Sequence, residues 1–304
     1  MPLDFSPVEI DYLAAGKRLS RTSTNKTPLS PKKFWSAFDD YLTLQQALSG
    51  HPNTQLETDK PANGVGATVG FEYRGSITRE TLVVYDIEKY IWKIALSEPN
   101  SVFSFYEASI RVFPSSDESE GAEVTFTIDF AFQGKTPEER LQVLQVMANS
   151  PQPQRIKEID NFILQRDGLR CSFEVDLNYP ADKLWAVVGN WEDISWVQYA
   201  TDVKMMPGAG RQIIFPSTTL EEDLVYADDA ERILVYELTK TTLPVSLYRG
   251  IVKINEVSPG ATKMNYDNLF IPLEGKEPQE LQSEMEQTFK ARFEWFKSKF
   301  NTKN

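Results

Sequence analysis

The chain has 304 residues, 44 acidic against 32 basic, and a formal net charge of −12. Such a length fits two domains of roughly 150 residues, each able to bury a core, and such a charge opposes binding to nucleic acid or to an anionic membrane through a broad basic face. One Cys, Cys171, and one His, His51, exclude an intrachain disulfide, thiolate clusters and His-rich metal sites, and leave a single imidazole for any triad chemistry.

No stretch approaches the ~18 apolar residues of a membrane span. Met1–Ser6 lacks the basic and apolar regions of a signal peptide, so a cytoplasmic protein is expected. Residues before about Gly16 read as a surface extension. Next, Leu29-Ser30-Pro31-Lys32-Lys33-Phe34-Trp35 places Pro in the first turn of a short helix. His51 falls in the turn-like Gly50-His51-Pro52-Asn53 and reads as a solvated loop residue. Gly64-Val65-Gly66 lacks the third glycine of a dinucleotide loop and precedes a strand, so it reads as a tight turn. Tyr90, Trp92, Ile94 and Leu96 alternate with smaller or polar neighbours, and Val124–Phe130 alternates cleanly; both read as half-buried strands. A helical pattern with Leu141, Leu144 and Ala148 follows. Pro151 and Pro153 break it before Ile156, Ile159 and Ile163 resume. Asp167-Gly168 ends that piece, giving domains 1–167 and 168–304.

The second half repeats the plan. Cys171–Leu177 alternates as a strand, Pro180 opens a helix containing Leu184, Trp185 and Val188, and Gly189-Asn190 stops it. Gly208-Ala209-Gly210 is the next turn. Strand patterns follow at 231–238, 245–254 and 262–270, separated by turns such as Ser258-Pro259-Gly260, as in an antiparallel meander. From Pro278, Leu281, Met285, Phe289, Phe293, Phe296 and Phe300 form an apolar stripe on a charged helix, which needs a concave sheet to lie in.

The two halves align at offsets that only shrink. Trp35 falls on Trp185 at 150, Gly64-Val65-Gly66 on Gly208-Ala209-Gly210 at 144, Glu80 on Glu222 and Tyr106 on Tyr248 at 142, and Phe130 on Phe270 at 140. Extra loop residues in the first copy produce that drift. The fold class is therefore α+β: two tandem helix-grip domains, each a curved antiparallel sheet around a long C-terminal helix.

The run Pro180 to Trp191 with Ser195-Trp196, then Gly208-x-Gly210-Arg211, then Leu220-Glu221-Glu222-Asp223-Leu224 before Asp228 resembles the SRPBCC superfamily, which includes START-like, Bet v 1-like and polyketide cyclase/dehydratase proteins. The resemblance covers nearly all of the second copy and, more weakly, most of the first. Two fused copies resemble the didomain aromatase/cyclases. It implies a cavity for a hydrophobic or polyketide-like small molecule and cofactor-free cyclisation or dehydration, with no metal and no nucleotide; the alternative is a carrier or sensor of such a ligand. This chain departs from the pattern at Asp39-Asp40-Tyr41-Leu42, at Ala67 where the second copy has Arg211, and at Asp223 where the family often has Arg. Those departures point to a degenerate first pocket.

Arg211, Glu222 and Tyr248 are the candidate catalytic residues: a guanidinium to hold an enolate oxygen, a carboxylate to exchange a proton, a phenol to donate. A surface salt bridge is the other reading of Arg211 with Glu222. Trp196, Tyr236, Tyr266 and Asn268 are candidate ligand contacts in the second copy, and Glu80, Trp92 and Tyr106 in the first, each equally readable as packing. Trp35 and Trp185 read as core. Oligomeric state is left open.

Overall fold

The computed structural model describes residues 16–48, 53–73, 75–115, 121–133, 136, 138–139 and 152–301. The expected N-terminal extension, His51, the helix carrying Leu141, Leu144 and Ala148, and Pro151 lie outside them. The chain forms two compact units, Met1–Ile163 and Leu164–Asn304.

In the first unit β1 (Leu19–Thr27) runs into a short helix α1 (Pro31–Trp35), a 3-10 turn (Ser36–Asp40) and α2 (Tyr41–Ala47). Six strands follow: β2 (Gln55–Leu56), β3 (Thr68–Tyr73), β4 (Ser76–Asp86), β5 (Ile91–Leu96), β6 (Phe103–Pro114) and β7 (Ala122–Phe132). They form a seven-stranded sheet in the order β1-β7-β6-β5-β4-β3-β2, antiparallel throughout. Helix α3 (Gln152–Asp167) closes the unit and buries Ile156, Ile159 and Ile163. Pro153 stands in its first turn, where the missing N–H costs no helical bond.

The second unit copies this plan with β8 (Leu169–Leu177), α4 (Ala181–Val188), β9 (Asp202–Met205), β10 (Gly210–Ile214), β11 (Thr219–Asp228), β12 (Ile233–Lys240), β13 (Val245–Ser258), β14 (Ala261–Pro272) and α5 (Pro278–Phe300). Its sheet order, β8-β14-β13-β12-β11-β10-β9, is that of the first unit. All six apolar residues of the α5 stripe are buried, and Phe289 and Phe293 meet the Phe173 ring at 5.6 and 5.2 Å. At roughly 1.5–3 kcal/mol for each fully buried large apolar side chain, that stripe is the main tie between helix and sheet. Among the described residues no helix is long and apolar enough to cross a membrane.

The duplication extends to irregularities. Strand β4 bulges between Leu82 and Val84, and β11 between Leu224 and Tyr226; β6 bulges at Phe103/Phe105 and β13 at Val245/Leu247. Tyr90 and Arg232 both take positive φ, at 50° and 49°. Each pair is 142 apart in the sequence. Bulges bend the strand that carries them, so both sheets curve at the same places. The same offset corrects two alignments. Left-handed Gly66 (φ 89°) corresponds to left-handed Gly208 (φ 79°), 142 apart, rather than Gly64 to Gly208 at 144. Glu80 pairs with Val69 as Glu222 pairs with Arg211, so Val69, not Ala67, holds the place of Arg211.

Candidate functional site

In the first unit a cavity of about 80 Å³ lies between sheet and helix. Its apolar lining includes Phe38, Ile110 and Ile159, and its polar lining is Gln45, Glu80, Trp92, Tyr106 and Arg155. Alternation along β4 turns Glu80 inward while Arg79 faces out to Glu57 and Glu98. The three first-copy residues singled out in the sequence thus line one cavity. Room for about half a dozen water-sized spheres suits a head group rather than a whole chain.

Glu80 is 7% exposed and accepts a hydrogen bond from the Tyr41 hydroxyl at 3.1 Å, while Gln45 donates to Tyr41 at 3.1 Å. Burial pushes the Glu80 carboxyl up to about 7, against the opposing pull of the Tyr41 hydrogen bond and the Arg155 charge. Burial and the Glu80 charge raise the Tyr106 phenol. The Trp92 indole N–H is buried without a hydrogen-bond partner.

In the second unit Arg211 and Glu222 are 1% and 4% exposed, which corrects the surface reading of the pair. The Arg211 Nε and Nη2 donate to Glu222 Oε2 at 2.8 and 2.7 Å, and Nη1 donates to the Trp191 carbonyl at 2.7 Å. The Arg211 guanidinium carbon lies 3.7 Å from the Trp191 ring centre, a contact favourable for a cation. Burial raises the Glu222 carboxyl, and Arg211 and Arg292 oppose it. At the offset of 150, Trp191 stands where the first unit has Tyr41. One aromatic donates to its glutamate; the other covers its glutamate's arginine.

Tyr236, Tyr248, Tyr266 and Asn268 are all buried and hydrogen-bond among themselves. Tyr236 meets Tyr266, and Tyr248 donates to the Asn268 side-chain oxygen. The Tyr236 ring lies against Gly250, where a Cβ would come within 2.4 Å of it. Burial raises the Tyr236 and Tyr248 phenols. Trp196 is 3% exposed and packs in the hydrophobic core of the second unit, not at a rim. Trp185 is only half-buried, its indole donating to Asp229 at 2.9 Å, unlike the buried Trp35.

The sequence reading missed two residues. Arg155 on α3 lines the first cavity, and Arg292 on α5 stands beside the tyrosines of the second unit. The signal was available, because Arg155, Ile156, Ile159 and Ile163 match Arg292, Phe293, Phe296 and Phe300 at a constant offset of 137.

Residues 19–150 match the family model described as polyketide cyclase / dehydrase and lipid transport. No curated protein matches the chain. Among solved structures it is similar to the di-domain ARO/CYC BexL from the BE-7585A biosynthetic pathway, at 10% identity over 95% of this chain and 99% of that one, with a TM-score of 0.42. It is also similar to the di-domain ARO/CYC StfQ from the steffimycin biosynthetic pathway (10% identity, 93% and 98% covered, TM-score 0.37). A START superfamily protein from Mycobacterium smegmatis aligns at 10% identity over 43% of this chain and 96% of its own, with a TM-score of 0.38.

Proposed function

We propose that this chain of two units, which over residues 19–150 is similar to the family described as polyketide cyclase / dehydrase and lipid transport, binds a hydrophobic, polyketide-like small molecule and catalyses its cyclisation or dehydration by acid/base chemistry of its own side chains. The observation that carries this reading is the first-unit cavity with Glu80 in its wall. A carboxyl titrating near 7 is matched to taking and returning a proton at neutral pH.

In this reading Glu80 removes a proton from a carbon between two carbonyls. The Trp92 indole N–H and the Tyr106 hydroxyl donate to the enolate oxygen, and Arg155 adds positive charge. The enolate carbon bonds to a second carbonyl carbon, and the resulting alkoxide takes the proton back from Glu80. A later loss of water uses the same carboxyl: the carboxylate takes a carbon-bound proton and gives it to the departing hydroxyl, which leaves as water. In the second unit Arg211, Glu222 and Tyr248 are proposed as the corresponding set, with Trp196, Tyr236, Tyr266 and Asn268 as ligand walls.

The test is turnover of a short synthetic poly-β-ketone with an apolar starter group by the full chain, Glu80→Gln and Glu222→Gln. Loss of about 10²–10⁴-fold in Glu80→Gln is expected, with wild-type kcat/KM rising through a pH of about 7 as the base ionises. Unchanged turnover in Glu80→Gln with loss in Glu222→Gln would move the chemistry to the second unit. The second reading, a non-catalytic carrier, is favoured by the mutual hydrogen bonds of the second-unit tyrosines, which make a wall and not a relay. It expects the ketone to be bound and recovered unaltered.

A further inference from the structure

Arg155 and Arg292 occupy the same place on their terminal helices, yet their surroundings differ in charge. The Arg155 Nη1 donates to Glu158 Oε2 at 3.0 Å, one helical turn on. The shared offset of 137 puts Trp295 where Glu158 would be, so Arg292 lacks that carboxylate. Glu222, the buried acid whose charge acts on it, is held by both Nε and Nη2 of Arg211. Among the described residues Arg292 has no hydrogen bond or ion pair.

Its guanidinium carbon instead stands 5.7 Å from the Trp196 ring centre, 5.8 Å from Tyr266 and 5.9 Å from Phe289. All three rings are less than a tenth exposed, while Arg292 as a whole is partly exposed. Beside it, the buried indole N–H of Trp196 has no hydrogen-bond partner. Two guanidiniums therefore face one carboxylate in this interior, with a second orphan donor alongside. A charge so placed is costly unless an anion balances it.

We infer that the second unit binds the carboxylate of an apolar small molecule, with the Arg292 guanidinium as its ion partner and the Trp196 N–H as a further donor. A single surplus positive charge matches a monoanion, and a planar guanidinium fork matches a carboxylate. Aromatic rings on three sides suit a flat apolar body. This reading does not depend on the Glu80 chemistry proposed for the first unit.

Calorimetric titration of the full chain with 2-naphthoate and its neutral isostere 2-naphthamide at pH 7 tests it. Wild type is expected to prefer naphthoate by about tenfold or more, the size of a charge-assisted hydrogen-bonded contact. Arg292→Met should lose that preference while still binding naphthamide, which shows an intact fold, and Arg79→Met, on the outer face of the first sheet, should keep it. Equal affinities in wild type, no binding of either compound, or a preference surviving in Arg292→Met would overturn the inference. Should Arg292→Met fail to fold, Trp196→Phe decides. A several-fold loss for naphthoate alone supports the inference, and no loss or an equal loss for both compounds overturns it.

Discussion

The two units share one strand order and two of their bulges, but they keep a buried glutamate in opposite ways. In the second unit Arg211 clamps Glu222 with two donors and Trp191 covers the arginine. In the first, Val69 takes the arginine's place, and Glu80 is left with one phenol donor and a cavity beside it. The same strand order thus gives a closed ion pair in one unit and, in the other, a buried carboxyl with no arginine clamp and a cavity beside it. Function lives in the residues hung on the fold, not in the fold.

Breaking the clamp has the largest expected effect. Arg211→Met leaves Glu222 buried and unpaired and should cost about 3–5 kcal/mol in urea unfolding, whereas Arg211→Met with Glu222→Leu should recover most of it. Equal losses would mean that the pair's charges do not matter to stability.

The Glu80 carboxyl sharpens the comparison from the other side. Tyr41, Tyr106 and Arg155 are the titratable and charged groups acting on it. Below pH 4.5, its ordinary value, the acid is protonated whether the chain is folded or not. From there to about 7 the unfolded chain releases a proton that the folded chain retains, so stability falls as pH rises. Above about 7 the full cost, ~3 kcal/mol, is present. Glu80→Gln should remove this slope, leaving the variant more stable than wild type at pH 8 and nearly equal at pH 4. A parallel pH slope in both proteins would contradict a raised Glu80.

The smallest effects should be the same in both units. Gly66 and Gly208 share a left-handed conformation that an alanine adopts at a cost of ~1 kcal/mol. Open space surrounds a Cβ at Gly208, and at Gly66 the nearest atom is the flexible end of Lys60. Gly66→Ala and Gly208→Ala should therefore shift the unfolding midpoint of their own units by similar small amounts. A much larger cost at either would show that the turns are not equivalent.

Much of this was legible because it is local and periodic. The alternation of Val124–Phe130 and the α5 stripe from Leu281 to Phe300 were found as strand and helix. Repeating letters revealed the duplication. Burial of Arg211 with Glu222 was not legible, because two charges on neighbouring strands look the same on either face of a sheet. Ala67 was matched to Arg211 because glycine letters guided the alignment, whereas the backbone distinguishes Gly66 from Gly64 by its positive φ. Arg155 and Arg292 were passed over because an arginine beside an apolar helical stripe ordinarily lies at the solvent boundary.

The most direct test of the central claim is a carboxyl ¹³C NMR titration of Glu80 in the full chain, assigned by its loss in Glu80→Gln. The account expects a midpoint near 7; a midpoint near the ordinary 4.5 would contradict it and leave the first-unit cavity without its acid/base group.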